Sequence, residues 1–276
     1  MAENKETTIT RLLPPAQGDP RREETFETFT AHLGACRKGR GEGSEDTPPP
    51  ACELAFDKPL GLTSFQLVSK VRWLLTRAMG GRKIKVGHAG TLDPLATGVM
   101  VVCTGRATKA IEQLQSGVKE YIATLRLGAT TPSYDLEHPV DRTFPTGHIT
   151  EAEVRRVLQT FVGEIMQVPP VYSACKVEGK RAYDLARKGK AEEVELKAKP
   201  LRINEIELTA CDLAKDEITI RVVCSKGTYI RALARDIGEA LQSGAHLTAL
   251  RRTRVGDYRL EDCFTLESFE QSLTNS

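Results

Sequence analysis

One carboxylate and one histidine share a turn-rich segment at residues 87–98, and these two side chains, Asp93 and His88, are candidates for chemistry. Glycines in the segment let the backbone approach a ligand closely, and Pro94 fixes the chain directly after the acid. An apolar run at residues 99–103 follows and is typical of a buried strand. The segment alone allows two interpretations: a structural turn whose aspartate bonds nearby amides, or a rigid loop that presents one reactive carboxylate.

The elements that must position this segment alternate between strand and helix periods from residue 54 onward, which is typical of an α+β domain. Strands are predicted at residues 99–103, 121–127, 203–208 and 218–224. Helices are predicted from Thr63 or Ser64 to the glycine pair at 80–81, from the capping box at Thr150 to Gly163, and from about residue 229 to 242. No internal repeat is evident, so we predict one α+β domain at residues 53–276.

Residues 1–52 differ from the rest of the chain because they are polar, charged and rich in glycine and proline. This composition predicts a mostly disordered extension. Within it, Phe26, Phe29 and Leu33 lie at helical spacing and allow a short helix around residues 24–33, although three apolar residues offer little to anchor it.

Composition limits the class of protein and does not name a function. The 276 residues are 40% hydrophobic and 28% charged, as in ordinary globular proteins. No run is apolar enough for a membrane span or a secretory signal, which predicts a cytoplasmic protein. The seven cysteines are scattered without a close pair, so we expect no metal or redox site.

Positive charge is concentrated locally although the formal net charge is only +2. Three basic clusters stand out, at residues 72–85, 176–190 and 251–254. Each could be a solvated face, and three such clusters in one domain also suit a partner with a phosphate backbone.

The segment at residues 87–98 resembles the signature loop of the TruB-type pseudouridine synthases, whose pattern is close to Gly-His-x-Gly-x-Leu-Asp-Pro-x-Ala-x-Gly. Further segments resemble motifs of the same family in the same order, at residues 57–64, 119–121, 168–176, 179–183 and 224–231. The resemblance spans about residues 56–258. Several motifs in a fixed order make it specific.

The resemblance implies the pseudouridine synthase fold, an α+β fold with a mixed, mainly antiparallel sheet flanked by helices. It also implies an isomerase that converts uridine 55 in the T-loop of tRNA to pseudouridine, by breaking the C1′–N1 bond and rejoining the base through C5. This reaction needs neither cofactor nor metal. The expected partner is the T-arm of tRNA, with no membrane, no guide RNA and no second subunit.

Three residues match the catalytic positions of the family. Asp93 is the expected carboxylate, either as a nucleophile toward the ribose or the base, or as an acceptor of the proton at C2′. Tyr121 matches the tyrosine that stacks on the everted base and is a candidate for proton transfer. Arg231 matches the arginine that pairs with the aspartate. Without the resemblance, Tyr121 could equally be a core tyrosine and Arg231 a surface arginine.

Other matched positions imply binding or support. Substrate contacts are expected from His88, Tyr121, Tyr229 and Leu250, although Leu250 alone would be interpreted as a core residue. Contacts with the RNA backbone are expected from Lys176, Lys180, Arg181, Arg251 and Arg252. Lys58 and Pro59 are expected to support the loop without reacting.

The chain departs from the family pattern at both ends. Only about twenty residues follow the arginine-rich strand, too few for the RNA-binding PUA domain that many bacterial relatives carry, so the catalytic domain should supply the affinity for tRNA. The extension at residues 1–52 matches nothing in the family. The residues also allow two other functions. One is an RNA chaperone that folds tRNA without chemistry. The other is a glycosidase, which would need a second carboxylate.

Overall fold

The computed structural model describes residues 9–15, 19–38, 47–173, 175–177, 180–181 and 196–274, with the backbone alone at 37–38, 176–177 and 180–181. The chain divides into two compact units, called here unit 1 (Met1–Gly117 with Arg252–Ser276) and unit 2 (Val118–Arg251). Within the described part of the chain, no helix combines the length and apolar character needed to cross a membrane.

Helices and strands are mixed along the described chain, as the sequence periods predicted. The helices are α1 (Pro20–Lys38), α2 (Ser64–Ala78), α3 (Ile111–Ser116), α4 (Glu151–Thr160), α5 (Ile230–Ala240) and α6 (Leu266–Thr274). The strands are β1 (Thr10–Leu12), β2 (Cys52–Lys58), β3 (Val86–His88), β4 (Ala96–Thr104), β5 (Lys119–Leu127), β6 (Ala129–Thr130), β7 (Arg142–Thr143), β8 (Gly163–Gln167), β9 (Lys176–Val177), β10 (Lys180–Arg181), β11 (Lys199–Asp212), β12 (Glu217–Cys224), β13 (Ala245–Val255) and β14 (Tyr258–Arg259).

In unit 1, the central strand β4 has a partner on each edge, because Val102 pairs with Leu54 of β2 and with His88 of β3. Both pairings are antiparallel, and β1 extends the sheet by a parallel pairing with β2. Helix α2 begins with a capping box in which Thr63 and Gln66 exchange hydrogen bonds, which confirms Thr63 as one of the two cap residues predicted for this helix. These pairings place the segment that carries Asp93 in the connection between β3 and β4.

Part of the extension predicted to be disordered is ordered: β1 and α1 both lie within residues 1–52. The expected short helix is confirmed and is longer than predicted. Its apolar stripe, Phe26, Phe29 and Leu33, is buried, and Phe26 packs on Phe264 with 6.0 Å between ring centroids. The expectation failed here because the rings from the far end of the chain that cover this stripe cannot be located from local composition.

In unit 2, four strands lie in the order β5, β12, β11, β8, and each neighbouring pair is antiparallel. Strand β5 alternates strictly, so Tyr121, Ala123 and Leu125 are buried on one face. Helix α4 begins at Thr150, whose side chain accepts from the Glu153 amide, which confirms this predicted helix start. Because β1 and β2 form a parallel pair beside antiparallel pairs in both units, the predicted mixed, mainly antiparallel α+β fold is confirmed.

We expect Phe26→Ala to lower the free energy of unfolding by about 3–5 kcal/mol, the range for removing a buried aromatic ring. Urea denaturation of the full chain measures this change. The matched control is Glu27→Ala, because Glu27 is the exposed neighbour on the same helix turn. Equal stability of the two variants would show that α1 is not part of the folded core of unit 1.

Candidate active site

The residue before Asp93 is held by a single hydroxyl group. Ser64 Oγ donates to the Leu92 carbonyl and accepts from the Leu92 amide, both at 2.8 Å. The Asp93 carbonyl in turn accepts from the Ala96 amide at 3.1 Å, which closes the turn. Ser64 is buried, so both of its bonds are sheltered from water. The half-buried Asp93 therefore sits on a backbone that is fixed on both sides.

The residue after Asp93 is held by a buried ammonium group. Lys58 is 0% exposed, and its Nζ donates to the carbonyl oxygens of Pro59 at 2.9 Å, Leu62 at 2.6 Å and Pro94 at 3.3 Å. The Pro94 carbonyl also accepts from the Gly61 amide at 2.9 Å. A buried lysine without such acceptors would be costly, so this arrangement both satisfies the ammonium and fixes the loop.

A buried guanidinium joins the two ends of the same loop. Arg252 is 1% exposed, and its Nε donates to the Val99 carbonyl at 2.7 Å. Its Nη1 and Nη2 donate to the carbonyls of Thr91 and Gly90 at 3.3 and 3.1 Å. Gly98 lets the chains approach, because a Cβ there would lie 2.1 Å from the Arg252 carbonyl oxygen, and its φ of +105° is unfavourable for other residues.

Burial, with a smaller contribution from nearby charges, shifts the pKa of two groups beside the loop. Burial lowers the pKa of Lys58 to about 8, with attraction by Asp93 opposing the shift and repulsion by Arg252 adding to it. Burial, followed by the charge of Arg252, also lowers the pKa of His88. His88 is therefore a neutral imidazole at neutral pH, able to donate one hydrogen bond and accept another.

In unit 2, Arg231 lies in the first turn of α5, and contacts with three other residues of the unit hold its guanidinium in one orientation. Its Nη1 donates to the Ser133 carbonyl at 3.1 Å and its Nη2 to the Tyr172 carbonyl at 2.9 Å. Its Nε lies 3.7 Å from Asp135 Oδ2, and the Ser133 hydroxyl bonds Asp135 Oδ1 at 2.6 Å. Arg231 is only 5% exposed, so this position is set by the fold and not by solvent.

Tyr229, the residue that precedes α5, is fixed through its backbone. Its amide donates to Gln167 Oε1 at 2.9 Å, and its carbonyl accepts from Gln167 Nε2 at 3.3 Å. Burial, and then a 3.3 Å hydrogen bond with the Cys175 thiol, raise the pKa of Tyr229. Its phenol therefore stays neutral and can act as a hydrogen-bonding group.

Tyr121 is 8% exposed on β5.

A family model described as "TruB family pseudouridylate synthase (N terminal domain)" matches residues 77–230. A second model, "tRNA pseudouridylate synthase B C-terminal domain", matches residues 231–276. The chain belongs to the TruB family of pseudouridylate synthases. The resemblance inferred from the ordered motifs is thereby confirmed.

Curated TruB relatives match most of the chain. A tRNA pseudouridine synthase B of Phocaeicola vulgatus is 69% identical over 220 residues, which cover 80% of this chain and 92% of the relative. One of Flavobacterium johnsoniae is 52% identical over 221 residues, with 80% and 95% covered. About a fifth of this chain therefore lies outside each of these matches.

A solved structure shares the fold. In a crystal structure of a Cbf5–Nop10–Gar1 complex, the matching chain is 30% identical with a TM-score of 0.60. The match covers 79% of this chain and 53% of the other, so this chain spans about half the length of that one. The expected pseudouridine synthase fold is confirmed.

The predicted TruB site residues divide between the two units. Unit 1 contains Asp93, His88, Lys58, Pro59 and Arg252. Asp93 lies in the connection between β3 and β4, which begins directly after His88, and both Lys58 and Arg252 donate to main-chain carbonyls of this connection. Pro59 contributes a carbonyl that accepts from Lys58. Unit 2 contains Tyr121, Tyr229, Arg231, Leu250 and Arg251, of which the last two are half-buried on β13. The side chains of Lys176, Lys180 and Arg181 lie outside the described residues. Among the described residues, no cluster of His, Cys, Asp or Glu could hold a metal ion.

The prediction that Arg252 contacts the RNA backbone is wrong. Its side chain is buried, and its Nε, Nη1 and Nη2 each donate to a main-chain carbonyl of the Asp93 loop or of the strand that follows it. A phosphate group outside the protein cannot reach a guanidinium that is 1% exposed. The expectation failed because a run of three basic residues in four was interpreted as one surface, although neighbouring strand residues point to opposite faces.

Two supporting residues were not identified from the sequence. The sequence predicts Ser64 only as an alternative helix cap, whereas Thr63 is the cap and the Ser64 hydroxyl holds Leu92. Its place inside a family-like motif was the available signal. Asp135 beside Arg231 had no local signal, because the two residues are far apart in sequence and only the fold places them together.

We expect the wild type to gain stability relative to Lys58→Met as the pH rises from about 8 to about 10.5. The folded protein releases the Lys58 proton near pH 8, whereas the unfolded chain holds it up to its ordinary pKa of 10.5. In this window the unfolded state binds more protons, so the stability of the wild type must rise with pH by up to about 3 kcal/mol relative to the variant. Urea denaturation of both proteins at several pH values measures this, and a pH-independent difference would contradict it.

Proposed function

We propose that this protein is a tRNA pseudouridine synthase that isomerises uridine 55 in the T-loop, with Asp93 as its catalytic carboxylate. The observation that carries the proposal is the Asp93 loop itself, in a chain of the TruB family. Ser64, Lys58 and Arg252 hold this loop through main-chain atoms of its other residues. A reaction on an everted nucleotide requires such support, because the carboxylate must stay in place while the nucleotide moves into the site.

The reaction breaks the bond between C1′ and N1, turns the uracil and forms a bond between C1′ and C5. No oxidation state changes, so an acid, a proton-transfer group and a closed pocket are sufficient. We propose Asp93 as the nucleophile toward the ribose or the base, and removal of the C2′ proton is the alternative role for the same carboxylate. In each case the carboxylate must be ionised when the substrate binds.

We propose Tyr121 as the residue that stacks on the base and transfers a proton, and Arg231 as the cation that orients the Asp93 carboxylate. The geometry of Arg231 supports its role, because hydrogen bonds to the Ser133 and Tyr172 carbonyls and an ion pair with Asp135 hold its guanidinium in one orientation. His88, Tyr229 and Leu250 are proposed to contact the substrate. The neutral states of His88 and Tyr229 suit hydrogen bonds to a neutral base.

We further propose that the protein acts alone, as a monomer without guide RNA, on tRNA in the cytoplasm. The two relatives named tRNA pseudouridine synthase B, which this chain matches over more than nine tenths of their length, support tRNA as the substrate. Lys176, Lys180, Arg181 and Arg251 are the proposed contacts to phosphates of the T-arm, where they would recognise RNA shape more than sequence.

Asp93→Asn is expected to lower the rate of pseudouridine formation by at least about 10²-fold, because an amide can neither attack carbon nor accept a proton at neutral pH. Tritium release from tRNA labelled at C5 of uridine measures the rate, and filter binding measures the affinity, which should be unchanged. Asp257→Asn is the matched control, since Asp257 is exposed in the turn between β13 and β14. Turnover by Asp93→Asn within about tenfold of the wild type would refute the role of Asp93.

Lys180→Ala and Arg251→Ala are each expected to weaken tRNA binding by a similar factor for different T-loop sequences. The effect should shrink as salt rises, because removing one cation from the phosphate backbone lowers the slope of log affinity against log salt by about one unit. Lys215→Ala is the control, as Lys215 is exposed and pairs with Asp212. Weaker binding confined to one T-loop sequence would indicate base recognition instead.

A further inference from the structure

We propose that Arg252 is a positioning residue of the isomerisation: its buried guanidinium sets the separation between the two ends of the loop that carries Asp93. The inference rests on the proposed function, in which Asp93 is the reacting group. It assigns to Arg252 a role in the chemical step and no role in binding RNA.

The first support is the distribution of the acceptors along the chain. Gly90 and Thr91 precede Asp93, whereas Val99 follows it on β4, and all three carbonyls bind one planar group. A guanidinium carries five N–H donors in a rigid fork, so it fixes the distance between acceptors that it binds together. Arg252 therefore acts as a brace across the loop, and the position of Asp93 depends on that brace.

The second support is the close contact of the two backbones. A Cβ on Gly98 would lie 2.1 Å from the carbonyl oxygen and 2.8 Å from the amide nitrogen of Arg252. The main chain of Arg252 is thus in close contact with Gly98, and its side chain donates a hydrogen bond to the carbonyl of Val99, the next residue. With main chain and side chain both engaged, the guanidinium cannot move without displacing the start of β4.

The third support is the charge that remains on the brace. The three acceptors are neutral carbonyls, and the charge of Arg252 adds to the effect of burial, which is the larger cause, in lowering the pKa of Lys58 and of His88. The guanidinium therefore adds a positive charge to the surroundings of the loop. A lysine at this position would keep the charge, but its single ammonium group cannot reproduce the planar fork.

The test compares Arg252→Met, Arg252→Lys and the wild type under single-turnover conditions with saturating tRNA. We expect the rate of Arg252→Met to fall at least about 100-fold, the scale of a misplacement of about 1 Å, while its Kd for tRNA stays within about threefold. Arg252→Lys should be at least about tenfold faster than Arg252→Met, because it restores the charge and part of the hydrogen bonding. Arg259→Met, which removes an exposed arginine from the same β-hairpin, should keep the wild-type rate.

Thermal unfolding decides whether each variant is folded at the assay temperature. Should Arg252→Met be unfolded, Arg252→Lys and Ser64→Ala carry the test, since Ser64→Ala loosens the same loop at Leu92 without changing charge. A slower chemical step with unchanged Kd in these folded variants supports the proposal. Weakened tRNA binding with a normal rate at saturation overturns it, as does a normal rate in every folded variant.

The role of Asp93 is tested separately by Asp93→Asn. An inactive Asp93→Asn together with fully active Arg252 variants would remove the inference about Arg252 and leave the proposed function intact. An active Asp93→Asn would remove the proposed function, whatever the Arg252 variants do.

Discussion

The need to satisfy buried positive charge shapes the Asp93 loop more than any other constraint. Lys58 and Arg252 are almost completely buried, and a buried cation is tolerated only where acceptors surround it. Here the acceptors are main-chain carbonyls of the loop and its neighbours. The carbonyls stabilise the two buried cations, and the cations in turn hold the loop in place. Flexibility in this segment would leave two charges without partners, and the loop is rigid for that reason.

Much of this arrangement was predictable because the relevant signals are local. The capping residues at Thr63 and Thr150 indicated where helices begin, and the strict alternation of residues 121–127 indicated a strand with one buried face. The glycines and proline around Asp93 indicated a rigid loop. The family motifs then suggested a reaction, which the spacing of residues alone did not identify.

The errors have one physical origin, which is that the partners are distant in sequence. Arg252 and the carbonyls of residues 90 and 91 are separated by more than half the chain, so a basic run gave no sign that one arginine is buried. The apolar stripe of α1 looked too small to matter because Phe264, its partner, lies near the other end of the sequence. Local composition gives the residue types of a segment. It does not show whether the segment is buried, because burial depends on contacts with residues that are distant in sequence.

Unit 1 is assembled from two stretches of chain, and this has a consequence for biosynthesis. A ribosome releases residues 118–251 before the last strands and helix that complete unit 1, so unit 2 is a continuous stretch that can begin to fold first. Phe26 and Phe56 cannot complete their ring packing until Phe264 and Phe269 have been synthesised. In the same way, the Asp93 loop cannot bind Arg252 until that residue has been synthesised. The hydrogen bonds that hold the Asp93 loop can therefore form only after residue 252 has been synthesised.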